Sequence, residues 1–280
     1  MPTFAAPQPV PVVVDVPFAH VHVVAGERDD VVVTVLPTDP GKSGSVRAAE
    51  DVRVDRDGDA VSITYPGSWK QFVLPFAAGT ANITVEVPTG SDVRGKAGSL
   101  YAEGTLGTVV MTLSAGDVRL DDVDRLELKA SAGSVTVGRV RHRVDLTASA
   151  GSVRVGEVAG EGSVKATNGM TFVGLVSGSL DVHGANGDIA VDRVHGVLAV
   201  KSAHAGIRVG SLDAGTATLA TSYGSIEVGV PEGTAAFLDV ASQHGTVRNH
   251  LTPTEGPVDQ ESTAEIHATT GYGDVVVRRP

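Results

Sequence analysis

Histidine is the side chain of this sequence best suited to metal binding or to proton transfer near neutral pH, and the chain has nine of them. His183, His195 and His204 lie close together in the sequence. Their positions relative to a repeated glycine place them on an outward strand face, in a connecting turn and just before a turn, so we do not expect them to meet at one ion. His20 and His22 share a strand face through their i, i+2 spacing, but no third ligand accompanies them. We therefore predict surface histidines, with no metal and no cofactor.

Carboxylates are the second candidate chemistry, because enzymes that cleave polysaccharides place pairs of them on one exposed face. The densest acidic cluster is Asp121, Asp122 and Asp124, which is local to one predicted turn and typical of solvated residues. Phosphate-binding loops, His-Glu-x-x-His zinc motifs and Gly-x-Ser-x-Gly nucleophile elbows do not occur. The sequence thus predicts no catalytic residues and no enzyme, and a polysaccharide-active enzyme is the least favoured function.

The overall charge narrows the choice of partners. Lys and Arg number 22 against 33 Asp and Glu, which gives a formal net charge of −11. This excess of negative charge disfavours phosphate backbones and anionic membranes. Cysteine is absent, so disulfides and thiolate metal sites are excluded. Neither a signal-peptide pattern nor an apolar run of membrane-spanning length occurs, and the sequence predicts a cytoplasmic location without membrane insertion.

A repeated glycine motif organises the middle of the chain. It consists of a small or polar residue, glycine, Ser or Asp, a β-branched residue, any residue and Val, as in residues 132–137 and 150–155. From residue 98 to residue 224 the repeated position recurs every 17 to 19 residues. The positions are Gly98, Gly116, Gly133, Gly151, Gly169, Gly187, Ala205, Gly224, Gly245 and Gly273. Nearly equal steps of this kind indicate a repeat architecture.

Two strands fit into each repeat, and both alternate apolar and polar residues as a half-buried strand does. Aligned repeats produce apolar columns, which indicate that equivalent strands stack on one another. One such column reads Val118, Val135, Val153, Thr171, Ile189, Ile207, Ile226 and Val247, and a second runs from Leu120 to Val228. We predict an all-β protein, a parallel β-solenoid or β-helix with about 18 residues per coil. An array of antiparallel hairpins is the structural alternative.

The two ends of the array are less regular than its middle. Residues 1–95 are predicted to form an irregular β cap that continues into the solenoid of residues 96–250, with an Asp57-Gly58 hairpin inside the cap. Residues 251–280 are predicted to form an excursion and a last coil, and all three parts make one elongated domain. An insert in the cap carries Trp69, Phe72 and Phe76, which either cover the first coil or form a contact loop for a partner.

The residue before the repeated glycine changes character along the chain. It is Ala in the early repeats and Asn at 168 and 186, where Asn suits left-handed turn geometry. It is then His204, Tyr223, His244 and Tyr272. These four side chains are either ordinary turn residues that stack on one another or a polar-aromatic strip along one edge, suited to contact with a peptide or a sugar.

The irregular N-terminal strands followed by x-Gly-[Ser/Asp]-[Val/Ile]-x-Val repeats resemble a bacterial family of β-strand-repeat proteins known as "putative adhesin", whose function is unknown. Residues 132–138 and 150–156 carry this resemblance best, and it extends from about Val12 to Val277. The valine-rich and alanine-rich, cysteine-free composition resembles that of an actinobacterial member. The family implies a repetitive β architecture, and it has no established catalytic residues to transfer.

These observations predict a non-catalytic scaffold or protein-interaction module. Its partner would be another protein or a second copy of the chain. The repeated motif does not indicate a specific role, because its residues occupy turn and core positions. A surface adhesin or glycan-binding module is the alternative function.

Overall fold

The computed structural model describes residues 1–66, 79–252 and 262–280. It forms a parallel β-solenoid, which confirms the predicted fold class. Two compact units divide the chain, Met1–Val137 and Gly138–Pro280. The division into cap, solenoid and last coil stays a prediction, and the insert residues Trp69, Phe72 and Phe76 lie outside the described residues.

The first unit contains one helix, α1 (Ser43–Asp51), and eight strands among its described residues. The strands are β1 (Thr3–Ala5), β2 (Pro11–Gly26), β3 (Asp30–Pro37), β4 (Arg53–Asp57), β5 (Ala60–Thr64), β6 (Ala81–Pro88), β7 (Asp92–Leu113) and β8 (Val118–Ala132). Strand β9 (Val135–Ala150) begins in this unit and lies mostly in the second. The helix is the one element that the repeat pattern did not predict. Among the described residues no helix is long and apolar enough to span a bilayer.

The second unit continues with thirteen further strands among its described residues. They are β10 (Val153–Val158), β11 (Glu161–Asn168), β12 (Thr171–Val176), β13 (Ser179–Asn186), β14 (Ile189–Val194), β15 (Val197–His204), β16 (Ile207–Leu212), β17 (Gly215–Tyr223), β18 (Ile226–Gly229), β19 (Thr234–His244), β20 (Val247–Asn249), β21 (Ser262–Tyr272) and β22 (Val275–Arg278). Each coil of the regular part consists of one longer strand, the glycine turn and one shorter strand.

Steric exclusion explains why glycine recurs at the turn. Gly169 has φ +131°, a region that side chains with a Cβ rarely occupy. A Cβ built on Gly169 would lie 2.1 Å from the carbonyl oxygen of Gly151 in the coil before it. The turn glycines therefore allow neighbouring coils to approach to strand spacing.

Register between coils follows the 18-residue repeat. Val153 pairs with Thr171, and Thr171 pairs with Ile189, all in parallel strands. The predicted columns are the core, since their members from Val118 to Ile226 and from Leu120 to Val228 are no more than 1% exposed. Small branched side chains fill this interior, which explains a core almost free of aromatic rings.

The strands of the first part of the first unit do not pair in chain order. Strand β2 pairs in parallel with β7 on one side and with β5 and β6 on the other, so the first long strand of the chain lies inside the sheet. Strands β3 and β4 then add in antiparallel orientation, the latter through the predicted hairpin at Asp57-Gly58. Helix α1 packs on β3 and β6 and buries Ala48. The unit thus ends in antiparallel strands and a helix.

The last coils of the second unit depart from the predicted order. We expected Val247 to follow Ile226 in the core column, but Ile226 pairs with Val275. Strands β21 and β22, which come last in the chain, lie between the coil of β17 and β18 and the coil of β19 and β20. Val247 is 41% exposed as a result, because its coil is the outermost one of this end.

Candidate binding surface

The residues before the turn glycines form one continuous column in the second unit, which we call the turn column. Register pairs Asn168 with Asn186, Asn186 with His204, and His204 with Tyr223. The inserted last coil continues it, because Tyr223 pairs with Tyr272 and Tyr272 with His244. The turn column therefore reads Asn168, Asn186, His204, Tyr223, Tyr272 and His244 in spatial order.

Four of these residues form an uninterrupted stack of rings. Centroid distances are 5.1 Å from His204 to Tyr223, 4.9 Å from Tyr223 to Tyr272 and 4.5 Å from Tyr272 to His244. The ring planes are nearly parallel, with angles of 5°, 4° and 18°. These distances match the spacing of strands in a sheet, so the backbone ladder sets the ring spacing.

An amide ladder extends the stack on one side. The side-chain amide of Asn186 donates to Oδ1 of Asn168 over 2.9 Å, and the amide of Asn168 donates to the carbonyl oxygen of Ser149 over 3.3 Å. Asn186 is thus joined to Asn168, and Asn168 is joined to the backbone of the coil before it. This ladder holds the polar half of the turn column in a fixed arrangement.

Ring edges, and not ring faces, are what the stack offers to a ligand. Tyr223 has His204 on one face and Tyr272 on the other, and Tyr272 is enclosed in the same way by Tyr223 and His244. The two tyrosines are nevertheless 51% and 50% exposed. Rings held on both faces have few rotamers to lose on binding, which lowers the entropic cost of a contact at their edges.

The predicted strip and the observed stack consist of the same four residues, His204, Tyr223, His244 and Tyr272. Their positions before the turn glycine were sufficient to predict that they share one edge. Spatial order differs from chain order, because Tyr272 and not His244 lies next to Tyr223. Their role in binding stays a prediction.

The remaining histidines are distributed over separate contacts. Nε2 of His195 lies 2.7 Å from Oδ2 of Asp213, whereas His183 lies on β13 beside Lys165 and Lys201. His20 contacts the hydroxyl of Ser99 through Nδ1 at 2.7 Å. In the described ranges, no group of three or more His, Cys, Asp or Glu residues has the arrangement of a metal site.

The Asp121, Asp122 and Asp124 cluster lies on strand β8 and not in a turn, which corrects the predicted location. Asp121 accepts a hydrogen bond from the amide of Gly104 at 3.3 Å, and Asp122 accepts one from the hydroxyl of Thr105 at 3.5 Å. Both carboxylates therefore contact the coil before them.

Two groups of polar residues were missed by the sequence reasoning. In the first unit, Tyr101, Glu103 and Arg119 line a shallow depression on β7 and β8, together with Asp121 of the acidic cluster named above. Tyr101 pairs with Arg119 in register, so strand alignment was the signal that could have found them. The second group, around His267, joins the last coils of the second unit.

His267 bridges two carboxylates on the outward face of the last coils. Its Nδ1 lies 3.2 Å from Oδ2 of Asp239 on β19, and its Nε2 lies 3.0 Å from Oε1 of Glu265 on β21. The hydrogen bond to Asp239 and then that to Glu265 raise the pKa of His267 above its usual value of 6.5. The side chain of His267 therefore links β21 to Asp239 on β19.

Comparison with protein families supports the repeat assignment. The model of the family described as Toastrack DUF4097 matches residues 12–278, nearly the whole chain. This match confirms the resemblance drawn from the glycine repeats. A comparison with curated proteins found no match.

The chain is also similar, over nearly all of its length, to solved structures of proteins named putative adhesins. A putative adhesin from Bacteroides fragilis is 11% identical over 99% of this chain and 95% of its own, with a TM-score of 0.34. One from Parabacteroides distasonis is 15% identical over 98% and 95%, with a TM-score of 0.36. Scores this low carry no weight for the fold or the function, and the assignment rests on the family model. On that model, the chain belongs to the Toastrack DUF4097 family.

Proposed function

We propose that the protein is a non-catalytic β-solenoid interaction module that binds a protein partner along the turn column. The observation that carries this proposal is the stack of four rings, in which Tyr223 and Tyr272 stay half-exposed although each has a ring on both faces. Exposed apolar side chains held rigidly in a row are a feature of interaction surfaces.

Tyrosine is well suited to such a surface. It combines a large apolar ring with a hydroxyl group that donates and accepts hydrogen bonds, and it is enriched among the residues that dominate binding energies at protein interfaces. Here the backbone repeats the ring edges at strand spacing, and the amides of Asn168 and Asn186 extend the row. The surface therefore suits a partner whose own side chains recur at that spacing, such as the face of a β-sheet.

Glycan binding, the alternative function, receives less support from this geometry. Sugars pack on the open face of an aromatic ring, and both faces of Tyr223 and Tyr272 are covered by other rings. A protein partner that contacts ring edges is consistent with the same arrangement.

The proposal is tested by affinity capture from a lysate of the source organism, with the wild-type chain and two variants as bait. Y223A/Y272A removes the centre of the stack. Y101A removes a tyrosine of similar exposure, 40%, from the first unit and serves as the matched control. We expect a protein that is retained by the wild type and by Y101A and is lost with Y223A/Y272A.

Two results would contradict the proposal. A partner retained equally by Y223A/Y272A would place its binding site elsewhere, provided that the circular dichroism spectrum of the variant shows an intact sheet. Turnover of a substrate without any specific partner would contradict the non-catalytic role. The cytoplasmic location stays a prediction, and cell fractionation with an antibody to the chain checks it.

A further inference from the structure

Strand β19 is the edge strand at one end of the parallel sheet of long strands in the second unit. Among the described residues, β19 pairs with β21 alone, and no strand pairs with its other side. The amide of Thr216 on β17 donates to the carbonyl oxygen of Gly196 in the coil before it. In a parallel ladder alternate residues direct both backbone groups to the same neighbour. Thr216 therefore faces away from β21, and Ala217 faces it. Ala217 pairs with Ile266, which then faces β19, and Ile266 pairs with Leu238, which faces the outer edge. The even-numbered residues of β19 up to Ser242 thus direct their N–H and C=O groups outward.

Core side chains are partly uncovered at this edge. Leu238 and Val240 occupy the inward positions that Ala217 and Leu219 occupy two strands deeper in the sheet, where exposure is 1% or less, yet both are partly exposed. Val247 on the adjoining strand β20 is 41% exposed, whereas Ile226 in the same column is fully buried. A further layer on this edge would remove that apolar surface from water.

The usual protections of an edge strand are missing from β19. Natural edge strands carry lysines, prolines or bulges that prevent pairing with another chain. The eleven residues of β19 include neither lysine nor proline, and Asp239 is their one carboxylate. Its pairing with β21 is uninterrupted from Thr234 to Ser242. The edge is therefore long, regular and nearly uncharged.

The sequence of this strand is self-complementary in the antiparallel sense. If Leu238 faces Leu238 of the partner subunit, Ala236 faces the partner's Val240 and Thr234 faces the partner's Ser242. Asp239 then faces the partner's Phe237, so the two carboxylates do not oppose each other. Inward residues oppose inward residues throughout, and the outward-directed backbone groups form the hydrogen-bonded pairs of an antiparallel ladder.

We propose that a second copy of this chain pairs with the edge of β19, antiparallel and centred on Leu238, to form a two-fold symmetric dimer. The contact uses the same patch on both subunits, so it closes on itself and does not propagate into a fibre. It adds one antiparallel strand pair to the sheet and covers Leu238 and Val240 on both subunits.

The full-length chain is tested by sedimentation equilibrium over a range of concentrations. We expect a species of twice the 28.6 kDa chain mass. A236P removes an outward N–H that would donate to the partner's Val240, and symmetry removes it twice, so we expect dissociation to become easier by roughly tenfold or more. A236S keeps that N–H and is the matched control, for which we expect an unchanged dimer.

Single cysteines provide a test that does not depend on the proline variant folding, because the natural chain has no cysteine. L238C places two thiols opposite each other across the two-fold axis, and we expect a disulfide-linked dimer under mild oxidation. T218C lies at an exposed position of strand β17, which has a paired strand on each side, and this variant is expected to stay monomeric. A wild-type chain that is monomeric at all concentrations, a dimer unaffected by A236P, or L238C that cross-links no better than T218C would overturn the proposal.

Discussion

Replacing Thr171 by valine tests whether the core columns are as dry as the structure indicates. Thr171 is the polar member of an aliphatic column, between Val153 and Ile189 in register, and it is 1% exposed. Its Oγ1 has no hydrogen-bond partner. A buried hydroxyl group without a partner retains its desolvation penalty, about 1–3 kcal/mol. The free energy of unfolding is therefore reduced by this one oxygen atom.

Valine has the same branched shape with a methyl group in place of the hydroxyl group. T171V should raise the free energy of unfolding by about 1–3 kcal/mol, since it removes the penalty and leaves no cavity. For a chain of this length that corresponds to roughly 2–4 °C in Tm per kcal/mol. Urea unfolding followed by circular dichroism measures the change, and an unchanged m-value would show that the unfolded state is unaffected.

The matched control is T171S, which keeps the hydroxyl group and deletes the methyl group. It should lower the free energy of unfolding by about 1 kcal/mol through lost apolar burial. If T171V unfolds at the same or a lower urea concentration than the wild type, Oγ1 is satisfied in solution and the assignment of a dry column at this coil is wrong.

Two further predictions concern the turns and the last coils. G169A should lower the free energy of unfolding by about 1–3 kcal/mol or more, because φ at Gly169 is positive and the added Cβ would lie 2.1 Å from a carbonyl oxygen. The control G26A places its Cβ in open space and should change the urea midpoint little. NMR titration should give His267 a pKa above 6.5, and D239N should lower it, since Asp239 is the first cause and Glu265 the second. The contribution of this ion pair to stability is therefore fully present below the unfolded pKa and is lost as pH rises through the folded pKa. Equal pKa values in the wild type and D239N would contradict the assigned contact.

Local repetition explains how much of the fold was predictable. A glycine that recurs every 18 residues forces each coil to repeat the geometry of the one before it, so the columns of Leu120 and Val118 follow from alignment alone. Helix α1 was not predictable in this way. No side-chain hydrogen bond caps its first turn. The helix buries Ala48 against β3 and β6, and such long-range contacts are not visible in a local sequence pattern.

The order of the last coils was beyond prediction for a different reason. Strands β19 and β21 carry similar apolar alternation, so both fit beside β17, and the sequence pattern does not select between them. The residues of the ring stack were predictable from their position before the turn glycine. Their contacts depend on which coil is inserted, so the stacking of Tyr223 on Tyr272 was not.

The ring stack, and with it the proposed binding surface, depends on the insertion of the last coil beside β17. Cysteine pairs measure this placement directly in a chain that has no other cysteine. Thr218 is in register with His267, and His267 with Asp239, so the inserted strand separates Thr218 from Asp239. Adjacent strands lie about 4.8 Å apart, and two spacings exceed the roughly 7 Å that a disulfide tolerates between Cα atoms. Under mild oxidation of a dilute sample, T218C/H267C should form an intramolecular disulfide detectable by peptide mass spectrometry, and T218C/D239C should not. Rapid cross-linking of T218C/D239C, with none in T218C/H267C, would show that β19 lies directly beside β17 and would contradict the inserted position of β21.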